Sequence, residues 1–153
     1  MKESRVLPEA LSIDSGVILA FLLGEELGET VRSEILSRNG RRVYCNRLAV
    51  SELFYILCRR RGERFAREAT EALLKSGRLS LVSSDELDIQ AGVYKCARGI
   101  SLVDCYVLAA AKVLDCAATF ARREDDLKRE MTKAPFDLEI IFLEDLVKRK
   151  RAN

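Results

Sequence analysis

The sequence predicts an α/β protein built on a largely parallel sheet. Three observations predict it: five short apolar stretches, most carrying β-branched or aromatic residues; helix-like stretches between them; and glycine- or proline-marked turns at the joins. Strands that alternate with helices in this way are joined by right-handed crossovers.

Leu11 to Asp14 reads as the first strand, and Ser15-Gly16 then turns the chain into the apolar helical run Val17 to Leu23, closed by Gly24. A second helical pattern, Glu29 to Ser37, ends before the Asn39-Gly40 turn. Arg42 to Asn46 is the second strand, followed by helices over Ala49 to Arg61 and Phe65 to Lys75, which Gly62 separates and Gly77 closes. Leu79 to Ser83 is the third strand and Glu86 to Ala97 the next helix, stopped near Gly99. Ser101-Leu102-Val103-Asp104 has nearly capping-box spacing and opens a helix to Asp115, whose small alanines suit close packing on a sheet. Ala117 to Ala121 and, past Pro135, Leu138 to Leu143 complete the strands.

At 153 residues and 48% hydrophobic, the chain suits one domain with a sizeable core. We place that domain at 6–146 and a basic tail at 147–153, with the residues before about Val6 and after about Lys148 as loose ends. Lys and Arg number 26 against 24 Asp and Glu, so the net charge of +2 does not by itself mark a nucleic-acid binder. The distribution says more: Arg59, Arg60, Arg61, Arg64 and Arg67 crowd together, and Lys148 to Arg151 are all basic. The plain reading of both runs is a solvated surface.

Histidine is absent, which excludes imidazole triads and His-containing zinc sites. The five cysteines are odd in number and lack paired ligand spacing, so they read as small core residues of a reducing compartment. The longest apolar run, Val17 to Leu23, is too short to span a bilayer, and neither a signal peptide nor a membrane partner is expected; the location expected is the cytoplasm.

Four acids fall where strand-like stretches give way to helix-like ones, or on the helical first turn that follows: Asp14, Glu52, Asp104 and Glu124. In a parallel sheet these joins gather at the carboxyl edge, where open α/β folds place ligands. Clustered carboxylates repel one another unless protonated or neutralised, and hard divalent cations favour oxygen ligands. Each acid also has a plain structural reading. Asp14 suits a helix N-cap, Glu52 a helix dipole, Asp104 a capping box, and Glu124 an ordinary charge run in which Asp125 competes for the same role.

The stretches Leu11-Ser12-Ile13-Asp14-Ser15, Leu48-Ala49-Val50-Ser51-Glu52-Leu53, Ile100 to Ala109 and Ala117 to Glu124 resemble, in order, those of the PIN-domain family. The likeness is strongest to its VapC-like toxin ribonucleases. The resemblance spans roughly Val6 to Leu146 and implies a three-layer α/β/α fold with a five-stranded parallel sheet in the order 3-2-1-4-5. It further implies an endoribonuclease using Mg²⁺ or Mn²⁺, with Asp14, Glu52 and Asp104 at the three core acidic positions. Glu124 stands at the fourth, where the family more often has Asp. Ser15 takes the place of a residue supporting the first carboxylate, and Ser101 that of the serine preceding the third.

An acidic cleft needs cations at its rim to attract RNA, and Arg122 and Arg123 are nearest in sequence. The resemblance also implies a VapB-like antitoxin and a homodimer. The stretch from Glu52 to Lys75, with Phe54, Tyr55, Leu57, Phe65, Leu73 and Leu74, offers apolar side chains for such contacts or for the core. Two alternatives stay open: a PIN nuclease of RNA processing or decay, and a non-catalytic PIN-like binding module. A phosphoryl-accepting receiver domain fits poorly, because the early acidic pair it needs is absent.

Overall fold

Two apolar cores, one on each side of a five-stranded parallel sheet, organise the chain. The computed structural model describes residues 6–152. The strands are β1 (Ala10–Ile13), β2 (Arg42–Asn46), β3 (Ser80–Val82), β4 (Ala117–Phe120) and β5 (Ile140–Phe142). The helices are α1 (Ser15–Leu22), α2 (Gly28–Val31), α3 (Arg47–Arg61), α4 (Glu63–Lys75), α5 (Asp85–Ala97), α6 (Leu102–Val113), α7 (Asp125–Lys133) and α8 (Leu143–Arg151), with a π-helical stretch, Arg32–Leu36, continuing α2.

The spatial order is β3-β2-β1-β4-β5 with every pairing parallel, as the family resemblance implies. The chain moves outward from β1 to β3, then returns across the sheet to β4 and β5. With one handedness of crossover, that reversal sends the connecting helices to opposite faces. Residues of α1 to α4 accordingly share a core with Leu11, Ile13, Val43, Cys45 and Ala117. Residues of α5, α6 and α7 share the other with Ala118, Phe120 and Phe142. The result is the three-layer α/β/α architecture. The direction switches between β1 and β4, and ligand sites of open α/β folds form at the carboxyl end of such a switch.

Local chemistry starts four of the helices. Asp14 caps α1, Asn46 caps α3 by accepting from the Ala49 amide at 2.9 Å, Ser84 caps α5 and Ser101 caps α6. Gly62, at φ 87°, supplies the left-handed turn between α3 and α4. Gly28 lets α2 pack on α1, since a Cβ there would lie 2.5 Å from the Ala20 carbonyl oxygen. Gly28→Ala is expected to lower stability by about 1–3 kcal/mol, the cost of overpacking against backbone. Thermal melts that match the wild type would contradict this.

The segments expected from sequence recur with shifts of a residue or two at most boundaries, and Arg42–Asn46 coincides. The expected helix over Glu29 to Ser37 is instead one α-helical turn running into the π-helical stretch. Two helices were not anticipated. In α7 only Leu127 and Glu130 are buried, so its sequence reads as a charge run. Leu143 ends the expected fifth strand early by opening α8, and Lys148 to Arg151 form the last turn of that helix rather than a loose end. There Lys148 pairs with Glu144, Lys150 with Glu34 and Arg151 with Glu26. The expectation for residues 1–5 lies outside the described residues. No helix among the described residues is long and apolar enough to cross a membrane. All five cysteines are unpaired thiols.

Candidate active site

The four acids are carried by four different elements. Asp14 directly follows β1, Glu52 lies in the second turn of α3, Asp104 in the first turn of α6, and Glu124 at the N-cap of α7. They run from buried to open: Asp14 is 8% and Asp104 9% exposed, Glu52 is half-buried and Glu124 exposed.

Asp14 does cap α1, with Oδ2 accepting from the Gly16 amide at 3.1 Å. That uses one oxygen; Oδ1 is buried and has no hydrogen-bond partner. Burial, then the charge of Asp104, pushes the Asp14 carboxyl up from 3.8 to about 7; the Gly16 bond opposes this, and Glu52 and Glu124 add to it. Asp104 is raised to about 6, chiefly by burial, with a hydrogen bond from Ser101 opposing and Glu124, Glu52 and Asp126 contributing. Its own amide donates to Ser101 Oγ at 3.1 Å, so the capping reading of this segment is also real. All four acids therefore share one electrostatic field at the switch point.

Glu124 caps α7 without a side-chain hydrogen bond, which leaves its carboxylate free of that structural duty. Its charge acts on both Asp14 and Asp104, whereas Asp126, not Asp125, is the other α7 acid felt by Asp104. Asp126 was not singled out from sequence, and it also pairs with Arg129 at 2.6 Å.

The two serines are both tied to the site. Ser15, buried, donates through Oγ to Glu52 Oε1 rather than to the first carboxylate it was expected to support. Ser101 is exposed and holds the start of α6. The rim cations are more committed than the sequence suggests. Arg122 and Arg60 both pair with Glu25, each at 3.3 Å. Arg123 pairs with Asp145, lies 4.4 Å from the Phe142 ring centre, and its amide donates to Glu144 at 2.8 Å. Of the α3–α4 arginines, Arg64 and Arg67 pair along α4, while Arg59, Arg61 and Arg67 lie over aromatic rings. Arg47, at the first position of α3, was overlooked; it is exposed.

Buried carboxylates held at such raised pKa values suit a divalent cation, and the unpartnered Asp14 Oδ1 offers it an oxygen. Among the described residues no group of three or more acidic or cysteine side chains is already gathered for a metal ion.

A parallel sheet in this order, with acids that feel one another's charge near its switch point, defines a class of α/β/α domains with an acidic centre. The model of the PIN domain matches residues 11–129, and the chain belongs to that family. No curated protein matches the sequence. Among solved structures, VapC20 of Mycobacterium tuberculosis, described as a sarcin-ricin loop cleaving toxin, is similar at TM-score 0.62 and 20% identity, covering 78% of this chain and 93% of its own. PAE2754 of Pyrobaculum aerophilum is similar at TM-score 0.60 and 16% identity, covering 98% and 99%. FitAcB of Neisseria gonorrhoeae is similar at TM-score 0.59 and 19% identity, covering 88% and 98%. At these identities the structural likeness speaks for the fold.

Proposed function

We propose that this protein is a metal-dependent endoribonuclease that hydrolyses RNA phosphodiester bonds in the cytoplasm, as the toxin of a VapBC-type pair. The observation that carries the reading is the shared field of Asp14, Glu52, Asp104 and Glu124, in which two buried carboxyls are held near neutrality. Asp14 and Asp104 would hold Mg²⁺ or Mn²⁺, with Glu52 and Glu124 as further acids of the site. When bound, such an ion activates water and stabilises charge on phosphoryl oxygens. Ser15 keeps Glu52 oriented, and Ser101 fixes the turn that carries Asp104. A VapC toxin among the similar folds supports the toxin reading, and membership of the PIN family supports the nuclease one.

RNA would approach along Arg122 and Arg60, which Glu25 holds beside each other. Arg122→Ala is expected to weaken RNA binding and to reduce the salt slope of log K by about 1. Arg123→Ala, which severs the tie to Asp145 and Phe142, should instead lower thermal stability, with less effect on the slope. Equal effects of the two substitutions on binding would remove this distinction.

A VapB-like antitoxin and a homodimer belong to the same proposal. Of the apolar residues expected to serve contacts, Leu57 and Leu73 are core and Phe54 and Phe65 half-buried; Tyr55 and Leu74 stay exposed. Size-exclusion chromatography with light scattering checks the dimer.

The test of the activity is cleavage of a panel of structured RNAs with Mn²⁺, Mg²⁺ or EDTA. Cutting that needs the metal supports the nuclease. A folded protein that neither cuts nor takes up metal would favour the second reading, a non-catalytic PIN-like module.

A further inference from the structure

Asp14 and Asn46 are two matching halves of one arrangement. β1 and β2 are parallel with Ser12 opposite Tyr44, and the same register carried two residues on sets Asp14 level with Asn46. The two residues have nearly the same backbone conformation, φ −79° and ψ 157° at Asp14, φ −80° and ψ 159° at Asn46. Each caps the helix that follows with one side-chain oxygen: Asp14 Oδ2 accepts from Gly16 at 3.1 Å and Asn46 Oδ1 from Ala49 at 2.9 Å. Each leaves its other atom buried without a partner, an acceptor at Asp14 Oδ1 and a donor at Asn46 Nδ2. Asn46 has no exposed surface at all.

Both side chains leave the sheet on the same face. Ser12 bonds to the Val107 carbonyl of α6 at 2.8 Å, and Asp14 follows two residues later along an extended chain. In β2, Val43 and Cys45 belong to the core on the opposite side, which turns Asn46 toward α6. α6 packs across both strands and carries Asp104. A buried amide with one free donor is costly to leave unsatisfied, and a neighbouring carboxylate oxygen is its natural complement.

We propose that Asn46 is a positioning residue for the Asp14 carboxylate, its Nδ2 donating to one bridging water that in turn donates to Oδ1, and so fixing the direction in which that carboxylate faces the acidic centre. The inference rests on the nuclease reading for its effect on metal binding, but the pairing itself does not need a metal. Groups that orient a metal ligand from behind commonly change affinity by about 10–100-fold when removed.

Asn46→Ser separates this role from capping, because serine caps a helix about as well as asparagine but has no amide to donate. The experiment measures Mn²⁺ affinity by calorimetry and, in EDTA, the urea midpoints of wild type, Asn46→Ser, Asp14→Asn and the double variant. The expected result is a lowered midpoint for Asn46→Ser, because Asp14 Oδ1 loses its donor while the cap is kept, with about tenfold weaker Mn²⁺ binding and non-additive midpoints for the pair. Asn46→Asp has the same shape and also caps, but it sets an oxygen against Oδ1. Its midpoint at pH 8 should fall and recover when Asp14→Asn is added. Wild-type Mn²⁺ affinity in Asn46→Ser together with additive midpoints would overturn the inference. Non-additive midpoints in a protein that binds no Mn²⁺ would uphold the pairing and overturn the metal reading instead.

Discussion

Asp104→Asn is expected to reduce RNA cleavage by about 10³-fold or more, the scale on which losing one preorganised electrostatic group acts, while leaving the fold in place. Two features of the structure separate these effects. The bond that starts α6 runs from the backbone amide of residue 104 to Ser101 Oγ, so it survives the substitution. The carboxylate, by contrast, is buried and feels the charges of Glu52, Glu124 and Asp126, with no cationic partner among the described residues to stabilise it. Initial rates with Mn²⁺, taken alongside circular dichroism melts, check both halves. A variant that cuts as fast as wild type would remove Asp104 from the chemistry, and one that fails to fold would return it to a capping role alone.

Stability in EDTA is expected to fall as pH rises from about 4 to about 8. Asp14 and Asp104 have folded pKa values of about 7 and about 6 against an ordinary 3.8. Between those limits the native state holds more protons than the unfolded chain, so raising the pH favours unfolding. The stabilising contribution of the protonated carboxyls is thus fully present below about pH 4 and is lost as the pH rises through about 6 and about 7. Asp14→Asn removes the larger part of this effect and keeps the α1 cap, since asparagine caps as well as aspartate. At pH 8 the variant should gain on the order of 2–4 kcal/mol, or about 5–10 °C in a chain of this size. Divalent metal should narrow the gap by stabilising the ionised wild type. A melting temperature for wild type that climbs from pH 5 to pH 8 in EDTA would show that the two carboxyls are not held as the structure implies.

The fold was legible because strand, turn and helix residues agree along most of the chain. The first three strands each run into a helix capped by a short polar side chain, Asp14, Asn46 and Ser84, and Asp14 is also one of the four acids. What sequence did not disclose depends on contacts between distant residues or on sparse patterns. Ser15 and Glu52 are 37 positions apart, and no local rule pairs them. Arg122 and Arg123 looked alike as rim cations, yet one meets Glu25 and the other Asp145, partners that only the closed sheet brings near. Helix α7 buries Leu127 and Glu130 beneath an otherwise charged surface, too thin an apolar stripe to stand out. Asn46 read as the last residue of a strand; its buried amide becomes informative only beside the orphaned oxygen of Asp14.

The segment bearing Glu124 is moored by what comes last in the chain. Arg123 ties it to Glu144, Asp145 and the Phe142 ring, all beyond residue 129, where the family match stops. A protein shortened before Phe142 would keep all four acids in its sequence, yet surrender the anchorage that sets where the fourth one hangs. The architectural boundary of the candidate site therefore extends past the stretch that identifies the family.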